Sequence, residues 1–195
     1  MTKTKLITII LASIIFLVAV IGIPLYLEQQ KEIKDNEARK QERQTGIQGS
    51  NPDVYNRLVE SVAKNREVVK TDPNNYNAWT DLGTDLQNLG DYMEAKKAYN
   101  QALKISEVAF IPLNNLATIY EEEGKYDLAE KYLLKITEKI PGETMAYLRL
   151  AQLYAQEKAG TKQDAVKILE KGIQVTGGAG GLREALQRFQ LTGVL

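Results

Sequence analysis

The sequence predicts an all-α fold, in which a solenoid of helix hairpins follows one N-terminal transmembrane helix. Two observations lead to this prediction. Large apolar and small residues recur every 34 residues over residues 72–176, and a run of 22 residues near the start of the chain carries no charge. A fixed period of this length is typical of stacked helical repeats, and an uncharged run of about 20 residues matches the thickness of a bilayer.

Composition limits the function classes. A chain of 195 residues with 44% hydrophobic content supports one modest folded domain. Its 25 basic and 25 acidic residues balance, which argues against nucleic acid as a partner. The chain has no cysteine and no histidine, so disulfides, thiol nucleophiles and the usual zinc ligands are excluded. We therefore expect a protein that is not an enzyme and that uses no metal or cofactor.

The apolar run covers residues 6–27 and follows a short flank, residues 1–5. It exceeds the apolar region of an ordinary signal peptide, and no small-x-small site follows Pro24, so we expect an uncleaved, single-pass signal anchor in the cell membrane. A cleaved signal peptide is the alternative. The basic residues after the run outnumber Lys3 and Lys5, which taken literally places the folded domain in the cytoplasm. The short lysine-bearing start favours an extracytoplasmic domain instead, with the cytoplasm as the alternative.

The next segment, residues 28–50, has the composition of a spacer. It mixes both charge signs among good helix formers, which predicts a solvated helical stalk, and residues 45–50 predict a flexible linker. Asn51 and Pro52 then form a capping residue and a first-turn proline. They predict a flanking helix within residues 51–71.

The 34-residue period defines the repeats. Trp79, Leu113 and Tyr147 are one period apart, and further series of leucine, small and aromatic residues keep the same spacing. In each unit the apolar positions share one face of a helix, then a second helix follows Gly90 or Gly124. Because glycine commonly ends a helix in a left-handed conformation, each unit is predicted to be a helix hairpin.

This pattern resembles the tetratricopeptide repeat (TPR), on Trp79, Leu82, Gly83, Leu86, Ala95 and Tyr99 in the first unit. In the third unit Ala165 and Leu169 arrive two residues late, which predicts a longer turn. The resemblance implies a right-handed α-solenoid with a concave groove that binds proteins or peptides. The predicted units are residues 72–109, 110–143 and 144–176, closed by a glycine hinge and a short helix over residues 177–195.

The resemblance also implies which residues line the groove, namely the free face of each first helix. These are Asn77, Thr80, Thr84, Gln87, Ile111, Asn114, Thr118, Glu121, Met145, Leu148 and Gln152. They carry amides and hydroxyls at one end and apolar side chains at the other, a lining able to hold a peptide. None is basic. A run of three acids, Glu121 to Glu123, is either an ordinary solvated charge run or a contact for a basic partner.

The sequence thus predicts a membrane-tethered scaffold or adaptor that binds a partner protein or peptide through its groove and contacts the membrane through residues 6–27. One alternative is a self-associating structural component of an envelope assembly. Another is an accessory subunit of an enzyme-maturation complex, similar to those of cytochrome biogenesis. A phosphate-binding loop at the glycine-rich residues 177–181 is disfavoured, because that segment follows a helix rather than a strand.

Overall fold

The computed structural model describes residues 10, 13, 15–156 and 158–195, and every regular element in that part of the chain is helical. A π-helical segment, Val18–Gly22, precedes nine α-helices. These are α1 Ile23–Ser50, α2 Pro52–Thr71, α3 Tyr76–Asn88, α4 Tyr92–Ile105, α5 Phe110–Glu122, α6 Tyr126–Lys139, α7 Thr144–Ala155, α8 Lys162–Thr176 and α9 Leu182–Thr192. The all-α prediction is confirmed.

Six of the helices form three hairpins. The α3–α4, α5–α6 and α7–α8 pairs make the most extensive contacts between helices, and each hairpin packs on the next through α4–α5 and α6–α7. Helix α2 packs against α3 at one end of the array, and α9 packs against α7 and α8 at the other. The predicted solenoid is therefore present, and below the three hairpins are called repeats 1, 2 and 3.

Local chemistry sets the ends of these helices. The side chains of Asn51, Asn75 and Asp91 accept hydrogen bonds from backbone N–H groups in the first turns of α2, α3 and α4. Such caps satisfy donors that have no partner inside the helix. Between the helices of repeats 1 and 2, Gly90 and Gly124 have φ of +79° and +71°. A residue with a side chain is strained in that conformation, so both turns favour glycine.

The apolar core consists of two clusters that share Leu103, Tyr120 and Tyr132 at their boundary. One joins α2 and repeat 1 to α5, and the other joins repeats 2 and 3 to α9. Leu113 and Tyr147, at the position that defines the period, are fully buried. Burial of these recurrent positions against neighbouring hairpins supplies the main apolar stabilisation of the array.

The longer turn of repeat 3 precedes a helix start that is itself well capped. The Thr161 hydroxyl accepts from the backbone N–H of Asp164, and the Asp164 carboxylate accepts from the backbone N–H of Thr161. This reciprocal capping box begins α8 two residues later than the period predicts. Gly160 lies against the ring of Tyr154, where a Cβ would come within 2.5 Å of a ring carbon.

The structure differs from the prediction for residues 28–50. Helix α1 is continuous through Ser50, and it packs against α2 and α4 instead of standing free as a stalk with a flexible end. The contacts of α1 are polar, with Asn36 as its one buried residue. The spacing of apolar residues cannot reveal a contact made by polar side chains, so the sequence predicted a solvated spacer.

The predicted transmembrane helix over residues 6–27 is wrong. Across the described residues, no helix combines the length and the apolar character that a bilayer crossing requires. Helix α1 takes only residues 23–27 from the apolar run and is polar over the rest of its length, and residues 15–27 are exposed. Residues 6–9, 11, 12 and 14 of the predicted span lie outside the described residues. The predicted location of the folded domain stays a prediction.

Candidate binding groove

The first helices of the repeats carry the predicted groove residues, four on each of α3 and α5 and three on α7. Asn77, Ile111 and Met145 occupy equivalent positions near the starts of these helices, and all three are exposed. Ile111 and Met145 are 51% and 50% exposed, although both are apolar. Thr80 differs from the prediction, because it is buried and its hydroxyl donates to the backbone oxygen of Tyr76 at 2.9 Å.

A hydrogen-bond network around Tyr99 fixes the groove between repeats 1 and 2. The Tyr99 hydroxyl lies 2.9 Å from Oε1 of Gln87 and 3.2 Å from Oγ1 of Thr84. It accepts from Nδ2 of Asn115 at 2.8 Å. Burial raises the pKa of Tyr99, which keeps the phenol protonated. Predicted groove residues on α3 are therefore tied to α4 and α5 through one buried ring.

Arg149 on α7 enters the groove, although it was not among the predicted groove residues. Its Nη1 donates to the side-chain and backbone oxygens of Asn114 at 2.5 and 3.2 Å, and its Nη2 donates to Glu121 at 2.8 Å. The groove thus contains a basic residue next to the predicted positions. The sequence does contain a pattern that predicts this contact: Glu121 and Arg149 carry opposite charges on neighbouring first helices, 28 residues apart.

Each of the three acids at the end of α5 contacts its own set of side chains within the protein. Glu121 pairs with Arg149 in repeat 3. Glu122 accepts from the Tyr92 hydroxyl and, at 2.9 Å, from Arg43 of α1. Glu123 lies 2.8 Å from Nζ of Lys96 and 3.1 Å from Nζ of Lys125. A contact for a basic partner is therefore a poor explanation of this run, because every member has an internal cation or phenol.

Cavities are shallow along the groove. A cleft of about 170 Å³ is bounded by Glu121, Arg149 and Gln152. A larger one, about 850 Å³, lies between the second helices α4 and α6 and contacts none of the predicted groove residues. Among the described residues, no cluster of acidic side chains has the arrangement needed to hold a metal ion. The arrangement suits the binding of an extended chain along a surface, rather than enclosure of a small molecule.

Comparisons with known proteins show which repeat family the first two hairpins resemble. Residues 75–138 match the model of the tetratricopeptide repeat family. The two hairpins that these residues form, repeats 1 and 2, are similar to tetratricopeptide repeats. A TPR repeat-containing protein of Methanocaldococcus jannaschii is 37% identical over 94 residues, covering 47% of this chain and 16% of that protein.

Two further similarities concern assembly and fold. The photosystem I assembly protein Ycf3 of Prochlorococcus marinus is 27% identical over 101 residues, covering 48% of this chain and 58% of that protein. A crystal structure of MamA protein superposes with a TM-score of 0.55 at 18% identity, covering 77% of this chain and 88% of that one. At that identity the MamA similarity shows the helical fold alone. The chain spans from a sixth to just over half of these two curated relatives.

Proposed function

We propose that this chain is a non-catalytic adaptor, and that it binds an extended segment of a partner protein in the groove formed by α3, α5 and α7. One observation supports the proposal most directly: Ile111 and Met145 keep half of their surface exposed at equivalent positions of adjacent first helices. Arg149 of α7 binds Asn114 and Glu121 of α5, so the two helices lie side by side and both apolar side chains are available to one bound chain.

Free amides next to these residues supply the polar part of the site. Asn77 and Gln152 are exposed and form no side-chain hydrogen bond within the described residues. An amide offers both a donor and an acceptor, the combination that pairs with a peptide backbone. The Tyr99 and Arg149 networks hold the intervening surface rigid, which lowers the entropy cost of binding.

The test is a selection of random peptides on the full chain, followed by titration of labelled peptides. Ile111→Glu and Met145→Glu are each expected to weaken the selected peptides about tenfold or more, the loss of roughly 1.4 kcal/mol of anchoring energy. Leu134→Glu is the matched control, since Leu134 is 40% exposed on the second helix α6. Peptides that bind both groove variants like the parent chain, and respond to the control, would refute the proposal.

The similarity to Ycf3 favours a second candidate, an accessory factor for the assembly of a protein complex. The same groove would then hold a subunit before it is assembled. A photo-crosslinking amino acid at position 145 tests this in cells. Crosslinks to free subunits that disappear from the finished complex support an assembly role, whereas crosslinks that persist in the finished complex support a permanent adaptor. Self-association stays a separate prediction, to be measured by sedimentation.

A further inference from the structure

Helix α1 crosses the turns between the two helices of repeats 1 and 2, residues 89–91 and 123–125, which are called the turn edge below. A Cβ on Gly90 would lie 3.0 Å from the backbone oxygen of Arg39 and 3.1 Å from Cα of Lys40. Nearer the start of α1, Glu32 contacts Lys125. The helix therefore spans the turn edge of two consecutive repeats.

The face of α1 that lies on the turn edge is polar throughout. Its contact residues are spaced by three or four positions, so they share one side of the helix, and they are Glu32, Asn36, Arg39, Lys40 and Arg43. None of the described residues of α1 belongs to either apolar cluster. By contrast, α2 contributes Val62 and Val69 to the core. Docking of α1 consequently depends on charge and hydrogen bonding, not on apolar burial.

Four charged groups form the centre of this contact. The carboxylate of Glu32 lies 2.9 Å from Nζ of Lys96 and 3.1 Å from Nζ of Lys125, and Glu123 bridges the same two lysines. The ammonium of Lys96, and then that of Lys125, hold the pKa of Glu32 below its usual value. The charges alternate in sign, so each ion is stabilised by two of the opposite charge.

Asn36 and Tyr92 set the register. Asn36 is 2% exposed, donates to Asp91 Oδ1 at 3.3 Å and accepts from the backbone N–H of Met93 at 2.9 Å. The guanidinium carbons of Arg39 and Arg43 lie 4.4 and 5.5 Å from the centre of the Tyr92 ring. Cation–π contacts of this kind strengthen when they are shielded from water. They place α1 at one position along the turn edge.

We infer that α1 is a releasable ionic clasp, which holds repeats 1 and 2 together across the turn edge and opens when its charges are screened or reversed. At about 1 M salt the Debye length falls to about 3 Å, which weakens the partly exposed ion pairs that Glu32, Lys40 and Arg43 of α1 form. Apolar contacts between the repeats are not weakened by salt. Opening would also remove the Arg43 contact of Glu122, the residue next to the groove residue Glu121. This inference does not depend on the proposed peptide ligand.

Distance measurement between spin labels tests the clasp in the full chain. The chain contains no cysteine, so labels are introduced at Gln41→Cys on α1 and Lys131→Cys on α6, both exposed. We expect one narrow distance distribution at low salt, which broadens at about 1 M salt. Glu32→Lys is expected to broaden it at low salt. Glu42→Lys, the same charge change at an exposed position of α1, is expected to leave it narrow.

A distribution that stays narrow in Glu32→Lys and at high salt would overturn the inference. If Glu32→Lys fails to fold, hydrogen exchange of the parent chain decides the matter. The clasp requires the amides of residues 28–43 to exchange at least about tenfold faster at high salt, while those of α6 and α7 keep their rates. Equal protection of α1 at both salt concentrations would show that its docking is not ionic.

Discussion

Gly83 on α3 lies directly beneath the ring of Tyr99 on α4, and a Cβ at position 83 would come within 2.6 Å of Cε1 of that ring. The equivalent residues of repeat 2 are Ala117 and Leu133, both fully buried. Repeat 2 thus has a larger residue than repeat 1 on its first helix, and a smaller one on its second. The two repeats use different pairs of residues to achieve the same close approach of their helices.

This relationship predicts the outcome of a double-mutant cycle. Gly83→Ala alone should lower the free energy of unfolding by about 1–3 kcal/mol, because the added methyl overpacks the ring. Tyr99→Leu alone also destabilises, through lost hydrogen bonds to Gln87 and Asn115. The double variant recreates the pair of repeat 2, and its cost should fall below the sum of the single costs. Strictly additive costs in urea unfolding would contradict this account.

The glycines of the two repeat turns provide a second, matched comparison. Gly90 and Gly124 share the left-handed conformation, but a Cβ would meet α1 only at Gly90 and has nothing within 4 Å at Gly124. Each change to alanine should cost about 1–2 kcal/mol from backbone strain. Gly90→Ala should also make α1 sensitive to limited proteolysis, whereas Gly124→Ala should not. Equal cleavage of α1 in the two variants would contradict the observed contact.

Arg149 joins repeats 2 and 3, and its contribution can be measured with Glu121. Arg149→Met and Glu121→Gln each break the bridge, so their effects on unfolding should not add. We expect a coupling free energy of about 1 kcal/mol, because both side chains are partly shielded from water. Lys131→Met, which removes an exposed lysine of α6, should show no coupling to Glu121→Gln. The absence of coupling for Arg149 would mean that solvent already screens the bridge.

The capping box of α8 predicts a pH dependence. The Thr161 hydroxyl, then Lys167, lower the pKa of Asp164 to about 2. Because the folded pKa is below the unfolded value of about 3.9, the stabilisation is present above that value and is lost as pH falls towards 2. The stability difference between parent and Asp164→Asn should therefore shrink over that pH range. Glu170→Gln, an exposed carboxylate of the same helix, is the control, and an equal pH response there would contradict the prediction.

Much of the fold was predictable because its core residues are apolar and recur at a fixed spacing in the sequence. Leu113 and Tyr147 were placed in the core by their spacing alone, and both are fully buried. The docking of α1 was missed because its contact face consists of charged and amide side chains. The predicted transmembrane helix was wrong because an absence of charge over residues 6–27 was taken as sufficient, while α1 joins residues 23–27 to a long polar segment.

The sequence predicted which helix positions face the groove, but it did not predict how the side chains at the groove contact neighbouring helices. Ile111 and Met145 are exposed as a binding surface requires, although their role stays a prediction. The burial of Thr80 and the entry of Arg149 depend on how neighbouring helices pack, which a single helical face does not reveal. A side chain that bridges two repeats can be predicted only when the charges on neighbouring first helices are compared.

The distance in sequence between Glu32 and Lys125 determines how long α1 waits for its binding surface during synthesis of the chain. The two residues are 93 positions apart, whereas each hairpin joins neighbouring segments. At ordinary rates of protein synthesis, roughly 5 to 20 s pass between the emergence of one and of the other. Helix α1 is therefore synthesised before the turn edge that it binds. A contact face made of charged and amide groups suits that delay, since water solvates it until the second repeat has been synthesised.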